Sequence, residues 1–349
     1  MRPNFGNLVG VNVLSAFGIA YGRIMDVRNR LYDSGKLRSH SLGAKTISIG
    51  NLTTGGTGKT PLVALVAEIL ATDGEKVCIL TRGYGRTNPK KRVLVSDGVE
   101  LLVDAATGGD EPVELAGKLL GKALVVADAD RVAAAAWVRE KFGITAFVLD
   151  DGFQHRRAKR DVDIVCIDAT NPCGNGQMLP AGDLRESFSG LRRADAIFIT
   201  RADLVESTDE LAERLMRRNA TAPIFLASTA ITEIVGLNDL FATSPVQPAD
   251  VDRVFAFCGL GNPGNFRRQL EIENFELAGF RSFGDHHKYS QADVELLIIE
   301  AKMAGASSLL TTVKDGVKLK HLSFEMPIFI ARIEMRIDGE DPFRKLVIG

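Results

Sequence analysis

Lys45 to Pro61 reads KTISIGNLTTGGTGKTP, and this stretch decides the fold. A short β-branched run (Ile47, Ile49) leads into a glycine-rich turn, then Gly58-Lys59-Thr60, then an apolar pattern of helical period. Strand, glycine loop, Lys-Thr and helix in that order is the layout of a phosphate-cradling P-loop. The glycines let backbone N–H groups turn inward toward an anion, and the helix N-terminus adds partial positive charge. Thr54, Gly55, Gly56, Thr57, Gly58, Lys59 and Thr60 are therefore the expected nucleotide-binding residues. Lys59 is expected on the β/γ-phosphates and the Thr60 hydroxyl on Mg²⁺, with ATP as the nucleotide. The usual pattern has glycine five residues before Gly58, where this chain has Thr53.

Outward from the loop, apolar β-rich runs alternate with helical stretches: Val77–Leu80, Ala123–Ala127, Ala146–Leu149, Ile164–Ile167, Ala196–Ile199 and Ile224–Leu226. Continuous apolar strands separated by helices predict an α/β fold, a P-loop NTPase parallel sheet flanked by helices. Arg92–Val103 (RVLVSDGVELLV) breaks the rhythm. Two alternating runs around Ser96-Asp97-Gly98 predict an inserted β-hairpin. Gly236–Asp252 is rich in Pro, Asn, Asp, Ser and Thr and reads as a junction between units. The expected organisation is an N-terminal segment over 1–40, a P-loop kinase domain over 41–245 and a smaller C-terminal α/β domain over 246–349 that closes a cleft. A length of 349 residues suits such a division.

A net charge of −1 argues against a general nucleic-acid binder. The four cysteines have no Cys-x-x-Cys spacing, which fits a reducing compartment and gives no zinc site. No charge falls between Leu8 and Tyr21, and Val13, Phe17, Tyr21 and Ile24 recur at helical spacing. Six Lys/Arg against two Asp follow between Arg23 and Lys45. An apolar helix followed by basic residues suits a helix lying in a membrane interface, and the apolar part is short for a span. An ordinary helix packed on the domain has the same pattern.

The chemistry-bearing residues follow the strands. Ala146–Asp151 is an apolar run ending in two carboxylates, Asp150 and Asp151, suited to Mg²⁺ downstream of a P-loop. Either could face the metal. Gly108-Gly-Asp110-Glu-Pro112 opens a helix, so Asp110 is either an N-cap or a general base for an acceptor hydroxyl. Asp285-His-His-Lys-Tyr289 concentrates ionisable groups. His286 or His287 could pair with a carboxylate across a cleft, or lie on the surface. Thr81-Arg-Gly-Tyr84-Gly-Arg86 and Leu179–Glu186 (LPAGDLRE) follow strands, at the sheet edge where ligands gather. Gly259-Leu-Gly261-Asn-Pro-Gly264 fits a dinucleotide fingerprint, but a tight turn beside the cleft is the better expectation. Thr200-Arg201-Ala202-Asp203 resembles a guanine-reading motif that has lost its Asn.

Taken together, these segments resemble the tetraacyldisaccharide 4'-kinases, the lipid A 4'-kinases of Gram-negative bacteria. The resemblance runs from Arg28-Asn-Arg-Leu-Tyr-Asp33 to the end of the chain. It adds Ala129-Asp-Arg131, Arg193-Ala-Asp195 and Thr311-Thr-Val-Lys-Asp315 to the motifs above. It implies transfer of the ATP γ-phosphate to the 4'-hydroxyl of tetraacyldisaccharide 1-phosphate, at the cytoplasmic face of the inner membrane, with an N-terminal helix touching the bilayer. It implies Asp110 as catalytic base with His286 as its partner, Lys59 as the phosphate-binding lysine, and Asp150 and Asp151 as metal ligands. Tyr84, Arg131, Arg185 and Glu186 match other active-site positions. No obligate protein partner is expected. Val313 and Asp183 depart from the family pattern, which bears on fine substrate contacts rather than on the reaction. The competing expectation is a partition-type regulatory P-loop ATPase, suggested by the double-glycine loop and weakened by Thr54 where that class has lysine.

Overall fold

The computed structural model describes residues 5–241, 251 and 253–349. A long helix, α1 (Phe5–Asp33), precedes the first strand. Then come β1 (Lys45–Asn51), α2 (Lys59–Thr72), β2 (Val77–Thr81), β3 (Val93–Ser96), α3 (Ala105–Gly108) and α4 (Asp110–Lys118). The alternation continues through β4 (Ala123–Ala127), α5 (Arg131–Phe142), β5 (Ala146–Asp150), β6 (Val162–Asp168), β7 (Ala196–Thr200), α6 (Asp209–Met216) and β8 (Ile224–Gly236). The last third holds β9 (Val254–Cys258), α7 (Pro263–Ile272), β10 (Leu277–Ser282) and α8 (Gln291–Met303). It ends with β11 (Ser308–Thr312), α9 (Val313–Leu319), β12 (Ile328–Ile337) and α10 (Glu340–Ile348).

The strands form one sheet in the order β10-β9-β11-β12-β8-β7-β6-β1-β5-β2-β4-β3. Two parallel groups meet at the antiparallel pair β8/β12, and β3 is an antiparallel edge. β8 belongs to both groups. Ile224–Ala227 pair with β7, while Ala227–Gly236 pair with β12. Because the ribbon reverses direction between the groups, the carboxyl ends of both sets of strands face the same central cleft. That arrangement brings the turns after β9 and β10 onto the P-loop.

Successive strand residues serve opposite faces, as the pleat requires. Val77 and Ile79 join the large core under α2, α4, α8 and α10, while Cys78 and Leu80 join the core under α5. Smaller cores lie beneath α6 and α7. α10 does not stay with the second group. Phe343 is fully buried and packs edge-on against Phe198 and Phe225, at 4.8 and 5.5 Å between ring centroids.

Within the expected hairpin at 92–103, Val93–Ser96 is a strand that pairs with β4, and the second run meets it through the antiparallel Ser96–Leu101 bridge and a bond from the Leu102 N–H to the Val95 carbonyl at 2.9 Å. Asp104 then caps α3 through the Thr107 N–H, so the chain turns helical before a second strand can extend. Of the expected junction, 242–250 and 252 lie outside the described residues, and Leu237–Asp239 form a single 3-10 turn.

Candidate active site

The P-loop is held from both flanks. Gly55 and Gly58 have φ of +92° and +73°, backbone that L side chains rarely adopt. Asn51 donates to the Thr57 hydroxyl (2.9 Å), and the Thr200 hydroxyl donates to the Thr57 carbonyl (2.9 Å). The Thr54 N–H donates to the Asp183 carbonyl at 2.7 Å, so the inward-turning N–H groups begin after Thr54. Asp183, one of the departures from the family pattern, thus braces the loop.

Lys59 and Thr60 open α2 and line a cleft of about 1190 Å³. Asp151 faces Lys59 at 3.5 Å and takes two bonds from Arg185, at 2.8 and 2.7 Å. Burial alone raises the Asp151 carboxyl, but the Lys59, Arg185 and Arg131 charges outweigh it and hold it below the ordinary range. Asp150 accepts from the Thr81 hydroxyl at 2.8 Å. Burial pushes its carboxyl up to about 6, with the Glu111 and Asp151 charges adding to the rise. Two neighbouring carboxylates therefore differ: basic side chains hold Asp151 low, and burial raises Asp150.

The opposite wall carries Asp110, 5% exposed at the first turn of α4. His286, from the turn after β10, places Nδ1 2.8 Å from Asp110 Oδ2. Burial raises the Asp110 carboxyl, yet the His286 hydrogen bond and the His286, Lys314 and Lys318 charges hold it below the ordinary range. The bond to Asp110 raises His286 in turn, against the effect of burial. His287 instead faces Asp293, 3.3 Å away at the start of α8.

Tyr84 is half exposed in the cleft, with Arg82 donating to its hydroxyl at 3.1 Å. Arg131 is buried; its Nη1 donates to the Ala129 carbonyl at 3.3 Å, while its Nε has no partner. A buried guanidinium with donors to spare suits an anionic ligand. Glu186 does not reach the cleft surface. It is 1% exposed, paired with Arg193 at 2.7 Å and bonded by Gln154 and Asn29, so it supports the cleft wall from behind.

Sequence reasoning missed three contributions to the cleft. Tyr21, Met25 and Arg28 line it from α1. Arg201, at φ +56° and paired with Asp168, lines it beyond Gly58. Lys314 bridges Glu111 and Asp285. The position of Arg201 directly after an apolar strand was the one available local signal. The glycine-rich turn after β9 lies where it was expected, beside the cleft: a β-carbon added at Gly261 would sit 3.9 Å from the Gly56 nitrogen.

Among the described residues no group of three or more His, Cys, Asp or Glu is placed to hold a metal by itself. Mg²⁺ takes one or two protein oxygens and completes its shell from nucleotide phosphates and water. The hard oxygen donors of Thr60, Asp150 and Asp151 fit that ion.

With this geometry in view, comparison with known proteins is decisive. The tetraacyldisaccharide-1-P 4'-kinase family model matches residues 11–348. The chain belongs to that family. A tetraacyldisaccharide 4'-kinase of Desulfotalea psychrophila is 38% identical over 328 residues, covering 94% of this chain and 93% of that protein. One from Anaeromyxobacter dehalogenans (strain 2CP-C) is 41% identical over 328 residues, covering 91% and 84%. The structure of LpxK from Aquifex aeolicus in complex with ATP is 34% identical, with a TM-score of 0.79 over 97% of this chain and 98% of that one.

Proposed function

We propose that this kinase transfers the γ-phosphate of ATP to the 4'-hydroxyl of tetraacyldisaccharide 1-phosphate, giving the 1,4'-bisphosphate of lipid A biosynthesis. The observation that carries the proposal is the convergence of Lys59, Asp150, Asp151 and His286 on one cleft, with Asp110 buried against His286 at 2.8 Å. The P-loop N–H groups and Lys59 bind the phosphates and stabilise their charge. Asp150 and Thr60 would hold Mg²⁺, which would supply positive charge to the transferring phosphate, while Asp151 orients Lys59 and Arg185. Asp110 accepts the proton of the 4'-hydroxyl as its oxygen bonds to phosphorus and the bond from phosphorus to the ADP oxygen breaks. His286 holds the Asp110 carboxylate in place, and Arg131 and Tyr84 face the acceptor. His286 comes from the second strand group, so a cleft that closes over both substrates follows from this assignment.

The acceptor carries four acyl chains, so the enzyme has to approach a bilayer. Among the described residues no helix is long and apolar enough to cross a membrane. We assign the contact, at the cytoplasmic face of the inner membrane, to α1. Val13, Phe17, Ile24 and Val27 are exposed along one stripe, while Gly18 and Gly22 fit against Met178 on another.

The test is phosphate transfer from ATP to tetraacyldisaccharide 1-phosphate in mixed micelles, with Lys59→Ala as control. A Mg²⁺-dependent bisphosphorylated product, lost in the variant, is expected. ATP hydrolysis without that product would favour the partition-type ATPase.

A further inference from the structure

Lys314 has no role in the chemistry above, yet its position ties the two walls of the cleft together. It lies in the first turn of α9, whose start is fixed by a fully buried carboxylate, Asp315. Asp315 accepts from the Gly259 N–H (3.0 Å), the Tyr289 hydroxyl (3.1 Å) and the Thr312 hydroxyl (2.9 Å). The beginning of α9 is thereby fastened to the turn after β9 and to the segment before α8.

From that base the Lys314 ammonium, on a side chain 12% exposed, reaches Glu111 at 3.2 Å and Asp285 at 3.1 Å. Glu111 follows Asp110 in the first strand group, and Asp285 precedes His286 in the second. One cation therefore joins the sequence neighbours of both members of the Asp110–His286 pair. Without it, two carboxylates would face each other across the cleft; with it, their repulsion becomes two attractions. Asp285 also shapes the turn that carries the imidazole. Its Oδ1 accepts the His286 N–H at 3.0 Å, and His286 has φ +57°, a left-handed conformation that a residue with a β-carbon adopts only when its surroundings hold it there.

We propose that Lys314 is a positioning residue for phosphoryl transfer: by bridging Glu111 and Asp285 across the cleft it keeps the His286 ring in hydrogen-bond contact with Asp110. This inference rests on the assignment of Asp110 and His286 as the proton-accepting pair.

The experiment measures kcat and the KM for ATP in the mixed-micelle assay for Lys314→Met, Lys314→Arg, Asp110→Ala, His286→Ala and the double variant Lys314→Met/His286→Ala. Loss of a charge-assisted contact predicts a kcat about 10- to 100-fold lower for Lys314→Met, with the KM for ATP within about threefold. Lys314→Arg keeps the charge and restores part of that loss. In the His286→Ala background Lys314→Met lowers kcat by less than about threefold, because the contact it maintains is already gone. A Lys314→Met kcat within about threefold of the parent overturns the inference, as does an equal loss in both backgrounds, which a merely structural role would give. If Lys314→Met does not melt cooperatively, Asp285→Asn replaces it, since it removes one arm of the bridge and leaves Lys314 in place. The same two criteria apply to it. Near-parent kcat in Asp110→Ala and His286→Ala would sink the pair itself. Large losses there beside a near-parent Lys314→Met would sink only the role of Lys314.

Discussion

Replacing Asp110 with Asn tests the chemistry of the cleft most directly. The change keeps the size of the side chain and one hydrogen-bonding oxygen for His286, 2.8 Å away, but removes the basic carboxylate. General-base catalysis is worth about 10²- to 10⁴-fold in rate. Two features place this site in the lower half of that range. The Asp110 carboxyl is held below its ordinary range, mainly by His286 and Lys314 working against burial, so its basicity is far from that of an ideal base near neutral pH. The transition state of phosphoryl transfer is also loose, which limits the proton transfer it demands. The expected loss in kcat is therefore about 10²- to 10³-fold, or roughly 3–4 kcal/mol of barrier. His286→Ala leaves the carboxylate and removes one charge-assisted bond, so its loss is smaller, about 10- to 10²-fold. ATP is held by the P-loop on the other wall, so its KM stays within about threefold in both variants. The assay is initial-rate transfer to tetraacyldisaccharide 1-phosphate in mixed micelles at saturating MgATP. A kcat for Asp110→Asn within threefold of the parent, or a loss appearing only in the KM for ATP, would refute the assignment of Asp110 as base.

The raised His286 titration has a readout of its own. A histidine whose folded value lies above its unfolded one stabilises the fold fully below the ordinary histidine range and loses that contribution as pH rises through the folded value. In an NMR titration the His286 ring should titrate above an ordinary histidine, and Asp110→Asn should bring it back down; no difference between the two proteins would contradict the hydrogen bond. Phe343→Ala removes a fully buried ring packed against Phe198 and Phe225. It should cost about 3–5 kcal/mol in urea unfolding, whereas a loss below about 1 kcal/mol would show that α10 does not brace the P-loop sheet. Phe17→Glu/Ile24→Glu, at positions 61% and 65% exposed, should release the protein from anionic vesicles in flotation while leaving its melting temperature near the parent value. Unchanged flotation would remove α1 as the membrane contact.

What the sequence revealed and what it hid have physical causes. The parallel strands were legible because burial on both faces leaves them continuously apolar: β2, β4, β5, β6 and β7 have no exposed position. β8 was recognised only over Ile224–Leu226, yet it runs to Gly236. Its later part lines the cleft with Thr229, Thr232 and Glu233, and polar residues on a strand face read as loop. Adjacent Arg185 and Glu186 suggested one charged pair. At the bend they occupy the two side chains part, so Arg185 enters the cleft to meet Asp151 while Glu186 turns inward to Arg193. The cross-cleft contacts had no local signal, since 176 positions separate His286 from Asp110. The resemblance to a family joined them beforehand, and residue patterns alone left both roles open.

The long ribbon explains how such distant residues meet. A single sheet of uniformly parallel strands would put every carboxyl end on one edge, with the P-loop and the His286 turn side by side and no opposing wall. Here β8 and β12 pair antiparallel from Ala227–Ile337 to Gly236–Phe329, and each strand lends one end to either group. The reversal turns the second group back over the first, so the turn bearing Gly261 approaches Gly56 and the turn bearing His286 approaches Asp110. The same ribbon is the main covalent and hydrogen-bonded path between the walls, while the side-chain contacts across the cleft include Lys314–Glu111, His286–Asp110 and Asn265–Thr170. A change in twist along β8 and β12 would thus alter the width of the cleft without breaking either parallel group. The contacts across the cleft are a few polar side-chain pairs, whereas each group is held together by its own apolar cores. Closure over MgATP and the acceptor is therefore expected to bend the ribbon and leave the P-loop sheet unchanged.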